Sequence, residues 1–533
     1  MKLKQLTVSI CIALFSSGLF AQEKVDQEMI SKIKEEGLQN SKVMETLSYI
    51  SDVYGPRLLG SPGYYEAAQW ARSEMAKWGL QNARLDTLDT QLRGWSVESF
   101  SVEMVQPRYT RLISYPRAWT ASTDGELSGT PMIIEHANSI DSLKAFEGKL
   151  RGKILLLGKN RHSQLHFEPF AKRFTADELT GAAQAMVPAP ENALGGRTSD
   201  KKLSQMLGRW KMFKGKQEAI EQFFLDEGVA AVISPSRSDH GILHVDGTYF
   251  SDKGDIKPVP SFIISNEQYG RLVRMIDKGV EPVVKLNLTT KFYTDPRYRA
   301  NVIAEIPGSD KKLREQLVVV GAHFDSWHSG TGATDNGAGS AVMMEVMRIL
   351  KAVDAKPRRT VRIVLWTGEE EGLFGSVAYA TKYVGDIFTG KTKSEATRIS
   401  GYFNLDNGSG RIRGIYLQGN ERVRPIFEQL LQPFQYLDAT TLTVQNTTGT
   451  DHLTFDDLNV PAFQFIQDPL NYGSVTHHTN MDVYENAVES DLRQSATIIA
   501  SIVYHVAMRD QMLPREPVRK PDVKKQPTLT TAR

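Results

Sequence analysis

Cysteine is almost absent from this 533-residue chain; the single one is Cys11. It sits in an apolar stretch over residues 6–20, after Met1-Lys-Leu-Lys4 and before Ala21-Gln-Glu, the layout of a secretory leader cut after Ala21. Ile10 precedes the cysteine where a lipoprotein signal wants a small residue, so lipidation is not expected. A chain so processed has no thiol, cannot form disulfides, and must rely on core size and bound metal for stability. Charge of one sign is lacking too: 64 Lys and Arg face 62 Asp and Glu, a net +2. That balance gives no field for nucleic acid or an acidic membrane. The leader's apolar run is too short for a comfortable span, and no later run approaches spanning length. The expected product is a soluble protein, secreted or periplasmic, long enough for two or three domains.

What the chain does carry is five residues of metal-ligand type, His323, Asp335, Glu370, Asp406 and His478, each just past an apolar run. Gln316-Leu-Val-Val-Val-Gly-Ala-His323-Phe-Asp325 reads as a strand that stops at an imidazole and a carboxylate. A period of two points both side chains one way, so Asp325 is expected to be the partner that fixes the His323 tautomer. Next, Gly330-Thr-Gly-Ala-Thr-Asp335-Asn-Gly-Ala-Gly-Ser340 leads into a helix over 341–350. A phosphate loop is the rival reading there, but the segment lacks the lysine of a P-loop and the third glycine of a dinucleotide fingerprint. Glycines let backbone crowd a metal site, and Asp335 has two oxygens with which to bridge two cations.

A second apolar strand over 360–366 runs straight into Thr367-Gly-Glu369-Glu370-Glu371-Gly372. Three consecutive acids usually form a solvated face. Placed after a buried strand, they lie where open α/β sheets keep their chemistry, at the carboxyl ends of strands. Glu369 and Glu370 can divide two jobs, one ligating metal and the other accepting a proton from water. Gly401-Tyr-Phe-Asn-Leu-Asp406 repeats the pattern, and Thr476-His-His478-Thr lies in a loop after a strand over 460–466. Singly, each is a loop residue in solvent. The conjunction of five is the specific signal.

The segments His323-Phe-Asp325, Asp335-Asn336-Gly337, Glu369-Glu370-Glu371-Gly372-Leu373, Asn404-Leu-Asp406, Thr450-Asp-His452 and His478-Thr-x-x-Asp482 together resemble the motif set of the M28 zinc peptidases. The likeness reaches back to Tyr54-Gly-Pro-Arg-Leu-Leu-Gly-Ser61 and spans nearly all of the chain after the leader. It implies two zinc ions, one held by His323 and Asp406, the other by Glu370 and His478, with Asp335 bridging. Glu369 is then the general base. The family pattern places the ligand directly before Thr479, so His478 is preferred to His477, which is expected to line the pocket. In relatives the Thr450-Asp451-His452 stretch borders the substrate cleft. His162 and His166 have the i, i+4 spacing of a helical metal pair but no third ligand, and read as surface residues; His328 reads as a solvated loop histidine.

Alternating strands and helices from 301 to 510 predict a doubly wound mixed α/β sheet, with the metals at its topological switch point. A block with its own short strands resembles the protease-associated domain inserted in several M28 enzymes. The expected layout is therefore a leader over 1–21 and a first peptidase part over 22–119, with an inserted smaller α/β domain over 120–290. The catalytic part over 291–513 and a disordered basic tail over 514–533 follow. Within the insert, residues 160–215 are rich in Lys, Arg and Gly and read as a surface embellishment. The first functional reading is a dizinc exopeptidase acting on short peptides, of aminopeptidase or dipeptidase type. A cyclotransferase of the glutaminyl cyclase kind, with one zinc, is the second, and a non-catalytic binding protein on a peptidase scaffold the third. Because relatives commonly dimerise, monomer and homodimer both stand open.

Overall fold

The computed structural model describes residues 25–90, 92–137, 139–188, 203–248 and 256–516. The leader with Cys11, and the basic tail from 517 onward, lie outside the described residues. No described helix is long and apolar enough to cross a membrane.

Eight strands form the central sheet: β1 (Gln81–Thr87), β2 (Ala300–Ile306), β3 (Leu317–His323), β4 (Thr360–Trp366), β5 (Ile399–Asn404), β6 (Ile412–Tyr416), β7 (Thr441–Thr443) and β8 (Ala462–Gln467). Their order across the sheet is β1-β2-β4-β3-β5-β8-β6-β7. The inner pairs β4/β3, β3/β5 and β5/β8 are parallel, flanked by antiparallel pairs on both sides. This is the mixed α/β sheet that the strand–helix alternation predicts. Its central strands are near-continuous apolar runs because both faces are covered. In β3, Val318, Val320 and Ala322 enter the core on one face, while Leu317 and Val319 enter the other with Trp366 and Tyr402.

Five helices matter for the site: α1 (Gln27–Gln39), α2 (Pro62–Lys77), α3 (Leu203–Asp226), α4 (Ala338–Ala352) and α5 (Glu489–Met508). Helix α2 starts on Ser61, whose hydroxyl accepts from Tyr64 N, with Pro62 in the first turn where no backbone donor is needed. Helix α4 starts against β5: a Cβ at Gly339 would collide with the Leu405 carbonyl, so glycine permits the close approach.

Between β1 and β2 the chain builds two smaller sheets. Gly94–Gln106 and Val283–Tyr293 pair antiparallel along their length, with Thr110–Arg111 and Leu127–Gly129 at the edges. The second sheet runs Ser114–Pro116, Ser261–Ile264, Ala231–Pro235, Ile154–Leu157, Met132–Ile134, its last four strands parallel. These strands span residues 94–293. Helix α3 links the two bodies. Its Ile220 and Phe224 pack in a core with Leu155 and Val232, whereas Leu203 packs in the central-sheet core with Trp366 and Leu373.

One buried cation ties the amino-terminal segment to the loop between β3 and α4. Arg57 donates from Nε to Phe324 O at 2.7 Å, from Nη1 to Ile50 O at 3.0 Å and Thr331 O at 2.9 Å, and from Nη2 to Gly332 O at 2.8 Å. Burial pulls its pKa down to about 10, which still leaves it charged at neutral pH. Replacing it orphans four carbonyls around the glycine-rich loop. Arg57→Met is expected to cost about 3–5 kcal/mol, read from urea unfolding curves of both proteins.

Candidate active site

The five candidate ligands converge from three strand ends, one turn and one loop. His323 ends β3, Glu370 follows β4, Asp406 follows β5, Asp335 lies in the turn that opens α4, and His478 follows the 472–476 turn beyond β8. His323 Nε2 is 3.3 Å from Asp335 Oδ1 and 3.3 Å from Asp406 Oδ1. His478 Nε2 is 2.9 Å from Glu370 Oε2 and 3.4 Å from Asp335 Oδ2. Two donor groups result, His323–Asp335–Asp406 and Asp335–Glu370–His478, each with its ligand atoms within 4.8 Å of one another. Asp335 belongs to both, presenting one oxygen to each.

Electrostatics follow from packing acids together out of water. Burial pushes Glu369 and Glu370 well above the usual carboxylate range, with help from Asp406 and Asp451 in the first case and Asp335 in the second. Against the cost of burial, Asp406, Asp325 and Asp335 raise His323. Asp335 Oδ2 and Glu370 Oε1 are buried and accept no hydrogen bond among the described residues. Buried polar atoms rarely go unsatisfied in native structures, so their partner is expected to be a bound group.

A ring of partners orients the cluster. The Asp482 carboxylate accepts from Thr334 N at 2.6 Å, Thr334 Oγ1 at 2.7 Å and Asp335 N at 3.1 Å. The Asp325 carboxylate accepts from Glu369 N and Glu370 N, both at 3.2 Å. His323 Nδ1 lies 3.1 Å from the Asp325 carbonyl and 3.7 Å from its carboxylate, so the tautomer is fixed by the carbonyl rather than by the acid. The carboxylate is already committed to the Glu369–Glu370 backbone.

The segment between β1 and β2 touches the site directly. Val245 N donates to His478 O at 2.9 Å, Asn480 N to Leu243 O at 3.2 Å, and Leu243 N to Asn480 Oδ1 at 2.7 Å. These bonds hold His478 at φ +59°, a conformation that side-chain-bearing residues keep only when neighbours impose it. The His244 ring lies 5.6 Å from that of His478, and burial lowers its pKa to about 4. Sequence reasoning missed His244, because nothing in the pattern around it signals a partner at residue 478.

A cavity of about 420 Å³ opens over the cluster. Glu369 lines it beside His323, Asp335, Glu370 and Asp406, yet belongs to neither donor group. Thr450 and His477 line the same cavity, as does the amino-terminal end of α3. That end belongs to the 160–215 stretch, so Leu203, Met206, Leu207 and Trp210 of it face the cavity, while residues 161–173 are largely exposed. His328 and the His162/His166 pair lie elsewhere. His328 is buried rather than solvated, with Nε2 2.7 Å from Pro116 O and its ring against Trp95. His162 and His166 are exposed and outside any helix. Arg411 and Arg413 pair with Asp468 at 3.3 and 2.9 Å. Asp451 and Glu371 are buried, and burial raises Asp451 to about 8.

Residues 301–503 match the sequence model of Peptidase family M28. Carboxypeptidase Q of Mus musculus is 24% identical over 524 residues, covering 95% of this chain and 97% of that protein. Among solved structures, a peptidase M28 precursor from Shewanella amazonensis superposes with a TM-score of 0.63 at 21% identity, covering 92% of this chain and 99% of that one. A zinc aminopeptidase from Bacillus subtilis gives a TM-score of 0.53 at 19% identity, over 87% of this chain and 93% of that one. Fold, acid–imidazole cluster and relatives together make this chain a zinc metallopeptidase. Over residues 301–503 it resembles peptidase family M28.

The partners of Asp335 have a measurable weight. Asp482→Asn removes an acceptor from the turn that presents Asp335, and losses of orienting partners typically cost about 10–100-fold in metal affinity. The expected result is a zinc affinity lowered by that factor, read by competition with a chromogenic chelator. An unchanged affinity would show that the turn holds its shape without the carboxylate.

Proposed function

We propose that this chain is a dizinc exopeptidase that hydrolyses short peptides, with Glu369 as general base. The observation that carries the proposal is Asp335, which turns one oxygen to His323 and the other to His478. Two imidazoles and three carboxylates are borderline-hard donors suited to zinc, and the buried oxygens without donors fit a pair of cations. His323 and Asp406 would hold one ion, Glu370 and His478 the other, with Asp335 shared. Bound zinc supplies Lewis acidity towards the scissile carbonyl and lowers the pKa of water.

The protein's own groups supply the rest. Glu369 faces the cavity without joining the ligands, the position a general base needs. It takes the proton from the attacking water and returns it to the leaving amine nitrogen. Asp325 fixes the backbone of Glu369 and Glu370 together, so base and ligand keep their spacing. The unit between β1 and β2 is proposed to be a protease-associated domain that shapes the cleft, and the leader-like segment at 1–21 to direct export. A homodimer is compatible with this reading.

The test is zinc content per chain, measured with hydrolysis of free, amino-blocked and carboxyl-blocked dipeptides in parallel. Two zinc ions and cleavage of at least one series are expected. One tight zinc with glutaminyl cyclisation would favour the cyclotransferase. Bound zinc without turnover on a broad panel would favour the binding protein.

A further inference from the structure

The geometry points to helix α3 as the specificity wall of the cleft: Leu203, Met206, Leu207 and Trp210 form an apolar subsite for the residue beside the cleaved bond. This deepens the exopeptidase reading and rests on it. The four residues follow the i, i+3, i+4, i+7 spacing of one helical face, and all four line the cavity over the acid–imidazole cluster. Their depth decreases along the helix. Leu203 is sealed in the central-sheet core with Leu373 and Tyr379, Met206 and Leu207 rest half-buried on that core, and Trp210 stands 40% exposed.

Leu373 extends the wall towards the chemistry. It closes the turn that starts at Glu369, with Leu373 N donating to Glu369 O at 3.0 Å, and it lines the same cavity. Apolar surface therefore begins at the turn that carries the proposed base and continues along α3 to the indole. A side chain bonded to the scissile amide has only that distance to cross. Because Ile220 and Phe224 anchor the far end of α3 in another core, the wall is braced from both ends. A charged substrate side chain would lose hydration against Met206 and Leu207 without recovering it, whereas leucine, methionine or phenylalanine would bury apolar area. The occupant is thus an uncharged aliphatic, thioether or aromatic side chain.

The experiment is a kcat/KM series on zinc-loaded protein with X-Gly and Gly-X dipeptides, X being Leu, Met, Phe, Ala or Asp. Wild type is compared with Leu207→Ala, Trp210→Ala and the exposed control Lys211→Ala on the same helix. In one of the two series, wild type is expected to prefer Leu or Met over Ala and Asp by about tenfold or more. Both wall variants should shrink the Leu-to-Ala ratio by about tenfold while holding the Ala substrate within about threefold, and Lys211→Ala should change neither. Trp210 is on the surface, so its variant reports even if Leu207→Ala folds poorly. Cleavage by wild type without apolar preference, or an equal loss on Leu and Ala substrates in the variants, overturns the subsite alone. A wild type that cleaves no peptide removes the exopeptidase reading, and the subsite with it.

Discussion

Glu369→Gln is expected to bind zinc as wild type does and to lose about two to four orders of magnitude in kcat, the range assigned to a positioned acid–base group. The substitution keeps the shape and removes the proton acceptor. The bond to the Asp325 carboxylate is donated by the Glu369 backbone N–H and survives the change. Its neighbour Glu370 keeps its place 2.9 Å from His478, so the ligand set is not disturbed. The measurement pairs zinc content by mass spectrometry with single-turnover hydrolysis of the best dipeptide. Full zinc with full activity would sink the assignment of Glu369, while leaving the ligands untouched.

Asp335→Ala should do the opposite, and its effect is the larger. It takes one oxygen from each donor group at once, leaving His323 with Asp406 and His478 with Glu370. Zinc per chain is expected to fall from two to below one. Activity should drop at least about a thousandfold, because metal ions contribute several kcal/mol and each 1.4 kcal/mol is tenfold. The two variants separate the roles: one loses turnover with metal, the other loses metal and turnover together. Wild-type zinc content in Asp335→Ala would mean that the two groups do not depend on a common carboxylate.

His323 was legible in the sequence because an apolar β-branched run stops abruptly at it, and such a stop in a sheet buried on both faces has few other causes. Asp406 was legible for the same reason, whereas choosing Glu370 over Glu369 as the ligand needed the family pattern. His478 needed the family pattern, since its loop carries no periodicity. What the sequence concealed depends on contacts remote in the chain. His328 looked solvated because its partner, the Pro116 carbonyl, is 212 residues away. The α3 wall was hidden by Lys211, Lys214 and Lys216, which follow Trp210 and give the stretch the look of a surface helix. The carbonyl partner of His323 was hidden because a period of two reports side-chain direction and says nothing about backbone oxygens.

The main-chain ladder between Leu243–Val245 and His478–Asn480 limits what can enter. A hinge that lifted the insert to admit a bulky guest would break Val245 N to His478 O and Asn480 N to Leu243 O, and would drag an imidazole off its mark. Any movement of that unit is therefore coupled to the placement of His478, one of the five candidate ligands.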